Sequence, residues 1–126
     1  MLIVDTDVLI EILDKKSTKG AEALDCILKS GEDVGTTVIN IHELLYGLNK
    51  YAKQTEEILL LPVLAFTKND AILSSKLELE AERKGAPTRR TDSMIAAIAI
   101  NNNATLYTLD KKHFTQFTRN NLKLLK

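Results

Sequence analysis

Two aspartates, Asp5 and Asp7, stand two residues apart at the point where a short apolar run ends. The run "LIV" at residues 2–4 is typical of a buried strand, and the apolar residues that follow in "DVLIEIL" repeat at helical spacing. The two carboxylates therefore lie where a strand gives way to a helix. Such a position favours helix capping, and it is also one from which a side chain can enter a ligand site.

Three further acids stand at element boundaries or beside the apolar face of a predicted helix: Glu43 in "INIHELLYG", Asp92 in "TDSMIAA" and Asp110 in "LYTLD". Each alone has a structural explanation, since Asp92 suits a helix N-cap and Asp110 a turn. Together with Asp5 they provide the carboxylate oxygens that Mg²⁺ or Mn²⁺ prefers. We therefore predict a metal site built from these four acids. We expect Asp7 to begin the first helix as its cap.

The elements that must position these acids alternate between strand and helix. The predicted strands are residues 2–4, "DVGTTVI", "VLAF", "ATLYTLD" and "NLKLL". The predicted helices begin at Asp7, at Ser17 or Thr18, in "NIHELLYGLNKYA", at Asn69 or Asp70, and at Thr91 or Asp92. This alternation predicts an α/β sandwich around a mainly parallel sheet. In such folds ligands bind beyond the carboxyl ends of the strands, and Asp5 and Asp110 are both predicted at such ends.

Length and composition limit the classes of protein that fit. The chain has 126 residues, 44% of them hydrophobic, which predicts one folded domain over residues 1–126 with a sizeable core. No stretch is long and apolar enough for a membrane span, and the N-terminus lacks the pattern of a signal peptide, so we expect a cytoplasmic protein. The formal net charge is zero, but residues 1–63 are acidic overall and residues 64–126 are basic.

The ordered motifs "VDTDVLI", "INIHELLYG", "TDSMIAAIA" and "LYTLDKKHF" resemble those of a PIN domain, and most closely the VapC family of toxin ribonucleases. The resemblance extends from residue 2 to about residue 117. It implies a three-layer α/β/α sandwich whose acidic cluster binds Mg²⁺ or Mn²⁺ and hydrolyses RNA to 5′-phosphate and 3′-hydroxyl ends. It also implies a cognate VapB-type antitoxin and a homodimer. The catalytic residues it implies are Asp5, Glu43, Asp92 and Asp110, with hydroxyls near the metal from Thr6 and Thr108.

Basic residues are expected at the rim of an acidic site that must attract a polyanion. Arg89 and Arg90 stand just before Asp92 and are the residues we predict to contact the RNA substrate. Lys111 and Lys112 follow Asp110 in the same way and are weaker predictions. The two histidines, His42 and His113, show no ligand spacing, so we expect structural or exposed roles for them.

Two other functions fit parts of the sequence. The segment "DTDVL" matches the opening of haloacid-dehalogenase-type phosphatases, in which the first aspartate is a nucleophile. Against this, the chain is short and shows a single late acid in "TLDKKHF". A non-catalytic interaction module on the PIN fold is the second alternative, although all four expected acids are present.

Overall fold

The computed structural model describes residues 1–126 and contains one sheet of five parallel strands in the order β3-β2-β1-β4-β5. The strands are β1 (Leu2–Val4), β2 (Val34–Thr37), β3 (Val63–Leu64), β4 (Thr105–Tyr107) and β5 (Lys123–Leu124). All the strands are short. The predicted mainly parallel sheet is confirmed.

Helices cover both faces of the sheet. They are α1 (Thr6–Leu9), α2 (Thr18–Ser30), α3 (Val38–Lys50), α4 (Glu56–Leu59), α5 (Lys68–Arg83), α6 (Arg90–Asn101) and α7 (Lys111–Phe114). A π-helix (Ile10–Lys15) continues α1, and a 3₁₀-helix (Thr115–Asn120) continues α7. None of the helices has the length and apolar character needed to cross a membrane.

The central strand β1 divides the interior into two cores. Leu2 and Val4 pack on one face with residues of α1, α2, α3 and α4, and Ile3 packs on the opposite face with residues of α5, α6 and the 3₁₀-helix. All three side chains are at most 1% exposed, as expected for a parallel strand that is covered on both sides. The predicted α/β/α sandwich is therefore confirmed.

The order of the strands reverses at β1. The chain moves outward from β1 through β2 to β3, and then returns to place β4 on the other side of β1. The pairing of Val4 with Tyr107 brings the carboxyl ends of β1 and β4 side by side, and the Asp5 amide donates to the Tyr107 carbonyl over 2.9 Å. Ligands of open α/β sheets bind in the crevice at such a reversal.

Several predicted boundaries were wrong, in two cases because a side-chain cap ends a strand or begins a helix earlier than the apolar pattern suggests. Thr37 ends β2 and caps α3, whereas the predicted strand ran on to Ile39. Thr67 caps α5, and Asp70 is its partner three residues on rather than the cap itself. Helix α6 begins at Arg90, so Asp92 lies in the first turn and is not the N-cap.

The first helix corrects a prediction about the two opening aspartates. Asp5 is its N-cap, since its side chain accepts a hydrogen bond from the Thr6 amide. Asp7 is not the cap that the sequence suggested. Its carboxylate accepts from the Leu109 amide instead, at 3.2 and 3.3 Å. Both aspartates therefore face the carboxyl edge of the sheet.

Helix α2 packs so closely on the π-helix that only glycine fits at position 20. A Cβ on Gly20 would lie 2.1 Å from the carbonyl oxygen of Glu11. We expect Gly20→Ala to destabilise the protein by about 1–3 kcal/mol or more, since backbone rather than a flexible side chain must move. Urea unfolding measures the change.

Gly47→Ala provides the matched control, because Gly47 also lies within a helix but has open space where a Cβ would be added. Alanine at this site should leave stability unchanged or raise it by up to about 1 kcal/mol. Equal effects of the two substitutions would contradict the close contact at Gly20.

Candidate functional site

The carboxylate of Asp5 lies at the end of β1 and is almost fully buried, with the residue 7% exposed. Its Oδ1 accepts from the Thr6 amide at 2.9 Å and from the Asn40 side-chain amide at 2.8 Å. Its Oδ2 accepts from the Thr108 hydroxyl at 2.7 Å. All three donors are neutral, and no cationic side chain forms an ion pair with Asp5.

The pKa of Asp5 is raised to about 6. Burial is the largest cause, and the charges of Asp7 and Glu43 add to it, while the hydrogen bonds from Thr108 and Thr6 oppose it. Burial also raises the pKa of Asp7. Asp5 therefore lies among like charges and has no cationic partner that would favour its ionised form.

Glu43 joins Asp5 through side chains of α1 and α3. The Thr6 hydroxyl donates to Glu43 Oε1 at 2.9 Å and accepts from the Asn40 side-chain amide at 2.9 Å. Asn40 and Glu43 are three residues apart on α3 and so share a face of the helix. Thr6 was predicted to lie near a metal, and it connects two of the four predicted acids.

Thr108 directly follows β4 and lies at the same edge of the sheet. It is 1% exposed, and besides donating to Asp5 its hydroxyl oxygen accepts from the Asp110 amide at 3.0 Å. Asp7 Oδ2 lies 3.4 Å from the same hydroxyl oxygen. The second predicted hydroxyl residue thus contacts the first acid directly and fixes the backbone of the fourth.

Asp92 and Asp110 are brought together by an arginine. Arg89 Nε lies 2.9 Å from Asp92 Oδ2, and its terminal nitrogen Nη2 lies 3.4 Å from Asp110 Oδ2. Asp92 is 4% exposed, so this pair is buried on its acidic side. His113 Nδ1 also contacts Asp110 Oδ2. The hydrogen bond to Asp92 is the largest cause that raises the pKa of Arg89, and the charges of Asp110 and Glu43 contribute.

Arg90 points elsewhere. Its guanidinium pairs with both carboxylate oxygens of Glu78 on α5, at 3.0 and 3.1 Å. The adjacent arginines predicted to bind substrate are therefore separated: Arg89 lies against the acids, and Arg90 lies against a different helix.

The four predicted acids form two linked pairs at one edge of the sheet. Asp5 and Glu43 are joined through Thr6, and Asp92 and Asp110 through Arg89. No three carboxylate, imidazole or thiolate side chains are grouped closely enough to hold a metal ion as they stand. The donor atoms nevertheless suit a hard cation, because they are carboxylate oxygens and Asp5 lacks a positive partner.

Sequence reasoning missed one residue of this edge. Asn40 is fully buried and contacts Asp5 and Thr6. Its signal was available, because it stands three residues after a capping threonine and three before Glu43. His113, for which a structural or exposed role was predicted, is exposed and contacts Asp110 three residues before it, a spacing at which two helical side chains meet.

The chain is similar to a known family of protein domains. The family model described as "PIN domain" matches residues 2–120. No match was found among curated protein sequences.

Solved structures give the same fold. VapBC2 from Rickettsia felis, solved bound to a DNA fragment from the promoter, is 26% identical, with 98% of this chain and 96% of that chain covered and a TM-score of 0.78. VapBC-1 from nontypeable Haemophilus influenzae is 20% identical, with 99% and 96% covered and a TM-score of 0.79. VapBC-5 of Mycobacterium tuberculosis, a member of the VapBC family of toxin–antitoxin systems, is 21% identical, with 98% and 96% covered and a TM-score of 0.72.

The raised pKa of Asp5 makes stability depend on pH. A carboxyl with a pKa of 3.8 when unfolded and about 6 when folded is held more tightly as the neutral acid in the folded state. Without metal, the contribution of this carboxyl to the free energy of unfolding is therefore fully present below pH 4 and is lost as pH rises through 6. The loss amounts to up to about 3 kcal/mol. We expect Asp5→Asn to remove this loss, so that the variant is the more stable protein at pH 7.5.

Urea unfolding in chelator between pH 4 and pH 8 tests this expectation. An asparagine at position 5 can keep all three contacts if its amide donates to the Thr108 hydroxyl oxygen. Asp25→Asn is the control, because Asp25 is exposed and pairs with Lys29 on the same helix. If the free energy of unfolding of the wild type changes with pH in parallel with that of Asp5→Asn across this range, the raised pKa of Asp5 is contradicted.

Proposed function

The chain belongs to the PIN domain family, and on that premise we propose that it is a divalent-metal-dependent endoribonuclease, the toxin of a VapBC-type toxin–antitoxin pair. The observation that carries the proposal is the buried, unneutralised carboxylate of Asp5 at the strand reversal, next to Glu43 and near a second acidic pair. A fold alone does not assign a function, so the proposal rests on this site.

The residues that would hold Mg²⁺ or Mn²⁺ are Asp5, Glu43, Asp92 and Asp110. Three of the roughly four lone-pair sites of the Asp5 carboxylate are taken by donors, two on Oδ1 and one on Oδ2, which leaves Oδ2 to meet a cation. When bound, the metal ion would favour the hydroxide form of a water molecule and stabilise charge that develops on the attacked phosphate.

The chain's own residues have separate tasks in this proposal. Thr6 and Thr108 orient the carboxylates by hydrogen bonds and are themselves uncharged. Arg89 holds Asp92 and Asp110 together and presents the nearest cationic group to an incoming phosphate. Water attack would break the bond between phosphorus and the 3′ oxygen, and would give 5′-phosphate and 3′-hydroxyl ends.

The proposed partners follow from the VapBC complexes to which the chain is similar. We propose a VapB-type antitoxin that blocks the acidic edge with a basic side chain, and a homodimer of this chain. A cytoplasmic location, with access to RNA, stays a prediction. The phosphatase alternative does not fit, because the chain belongs to another family. A non-catalytic PIN-fold module is the remaining rival.

The first test is RNA cleavage by the purified protein with Mn²⁺ or Mg²⁺. We expect cleavage that chelator abolishes and that falls to background in Asp5→Asn, because that substitution removes the carboxylate charge at the proposed metal site. Sequencing and end-labelling of the fragments should identify 5′-phosphate ends.

Asp25→Asn again serves as the control, since it removes an exposed acid of another helix and should cleave at the wild-type rate. Cleavage that persists in chelator, or in Asp5→Asn, would refute the metal mechanism. A folded protein that binds RNA but cuts none under any of these conditions would favour the non-catalytic module.

The two adjacent arginines provide a test of substrate binding. We expect Arg89→Ala to weaken RNA binding and to reduce the slope of log K against log salt by about 0.7, the value for one phosphate contact on a single strand. Arg90→Ala should change neither, because that side chain lies against Glu78 on α5 rather than at the acidic edge. Fluorescence anisotropy in an Asp5→Asn background measures binding without cleavage. Equal losses of RNA affinity in Arg89→Ala and Arg90→Ala would indicate a general electrostatic attraction rather than a specific contact at Arg89.

A further inference from the structure

Asn40 is the one fully buried polar side chain that contacts both Asp5 and Thr6. It lies near the start of α3, with none of its surface exposed. Its side-chain nitrogen donates to Asp5 Oδ1 and to Thr6 Oγ1, at 2.8 and 2.9 Å. Both amide hydrogens are therefore used on the acidic edge.

The orientation of this amide is fixed from the other side by Thr37. The Thr37 hydroxyl donates to Asn40 Oδ1 at 2.7 Å and accepts from the Asn40 backbone amide at 3.2 Å. The Thr37 backbone amide also points at Asn40 Oδ1, at 3.4 Å. Reversal of the side-chain amide would set two donors against a nitrogen and an oxygen against a carboxylate, so only one orientation satisfies every group.

The fixed amide of Asn40 determines which groups donate and which accept in the hydrogen bonds that reach Asp5 and Glu43. Because the Thr6 hydroxyl oxygen accepts from Asn40, its single hydrogen is free to be donated to Glu43 Oε1. Because Asp5 Oδ1 accepts from Asn40 and from the Thr6 amide, that oxygen has no lone pair left, whereas Oδ2 accepts only from Thr108 and keeps one available.

We propose that Asn40 is a positioning residue of the metal site, which selects the Asp5 oxygen that meets the cation and holds Glu43 in place through Thr6. This inference rests on the proposed function and deepens it, since it concerns how the same site binds Mg²⁺ or Mn²⁺. Asn40 touches neither RNA nor water outside the protein. Its effect passes through residues that would hold the ion.

A purely structural role is the competing explanation, because Thr37 and Asn40 form a capping box at the start of α3. The chain contains a second capping box that separates the two explanations. Thr67 and Asp70 make the same reciprocal contacts at the start of α5, and Asp70 bonds to Asn101 rather than to any of the four acids. Loss of a cap alone should therefore act alike at the two helices.

The experiment measures Mn²⁺ binding to the metal-free protein by calorimetry in three variants. Asn40→Ala should weaken binding by about 10–100-fold, the usual effect of removing a group that orients a metal ligand. Thr37→Val keeps Asn40 but releases its oxygen, and should weaken binding in the same direction by a smaller factor. Thr67→Val loses the cap of α5 and should bind Mn²⁺ as the wild type does.

Two further readouts distinguish positioning from loss of stability. Thr37→Ser restores the hydroxyl and should restore the affinity for Mn²⁺. At a limiting Mn²⁺ concentration, kcat for RNA cleavage should fall in Asn40→Ala and Thr37→Val while KM for RNA stays unchanged, since neither side chain reaches the substrate. Should Asn40→Ala not fold, the comparison of Thr37→Val with Thr67→Val and Thr37→Ser still decides.

The outcomes separate this inference from the proposed function. Wild-type protein that binds Mn²⁺, together with Thr37→Val and Asn40→Ala that bind it equally well, would overturn the role of Asn40 alone. The same result follows if Thr67→Val weakens binding as much as Thr37→Val does. Wild-type protein that binds no Mn²⁺ would overturn the metal-dependent function, and the role of Asn40 with it.

Discussion

The buried carboxylate of Asp5 must be solvated by the protein itself, because the cores on both sides of β1 exclude water from most of its surface. An ionised carboxylate in such a place is costly unless hydrogen-bond donors surround it. Its three donors come from the start of α1, from α3 and from the residue that follows β4. One side chain therefore links these three elements, and two of the other acids lie on them, Glu43 on α3 and Asp110 just after β4.

The charge at this edge is balanced unevenly. Arg89 compensates Asp92 and Asp110, whereas Asp5 has only neutral partners and feels the charges of Asp7 and Glu43. Hydrogen bonds make the buried charge tolerable without cancelling it. Such an arrangement lowers the stability of the folded chain when Asp5 is ionised, which is the usual compromise at functional sites.

Much of the fold and of the site follows from local patterns in the sequence. The acids at strand ends and the alternation of strand and helix predict the layered sheet and the edge at which Asp5 lies. The division of labour between Asp5 and Asp7 does not follow, because both suit a helix cap and only the neighbouring Leu109 amide decides between them. The separation of Arg89 from Arg90 and the contacts of Asn40 likewise depend on side chains distant in sequence, such as Glu78 and Asp5. Local propensity carries no information about these partners.

The hydrogen bond between Thr108 and Asp5 joins residues 103 positions apart, nearly the full length of the chain. During synthesis on the ribosome, β1 emerges first but can pair on only one side, with β2, until β4 has been made. Thr108, which donates to Asp5 Oδ2, and Asp110, the fourth acid, both follow β4 in the chain. A nascent chain that ends before β4 therefore lacks one of the three donors to Asp5 and one of the four acids, so whatever chemistry this edge performs must wait until β4 and the residues after it have been made.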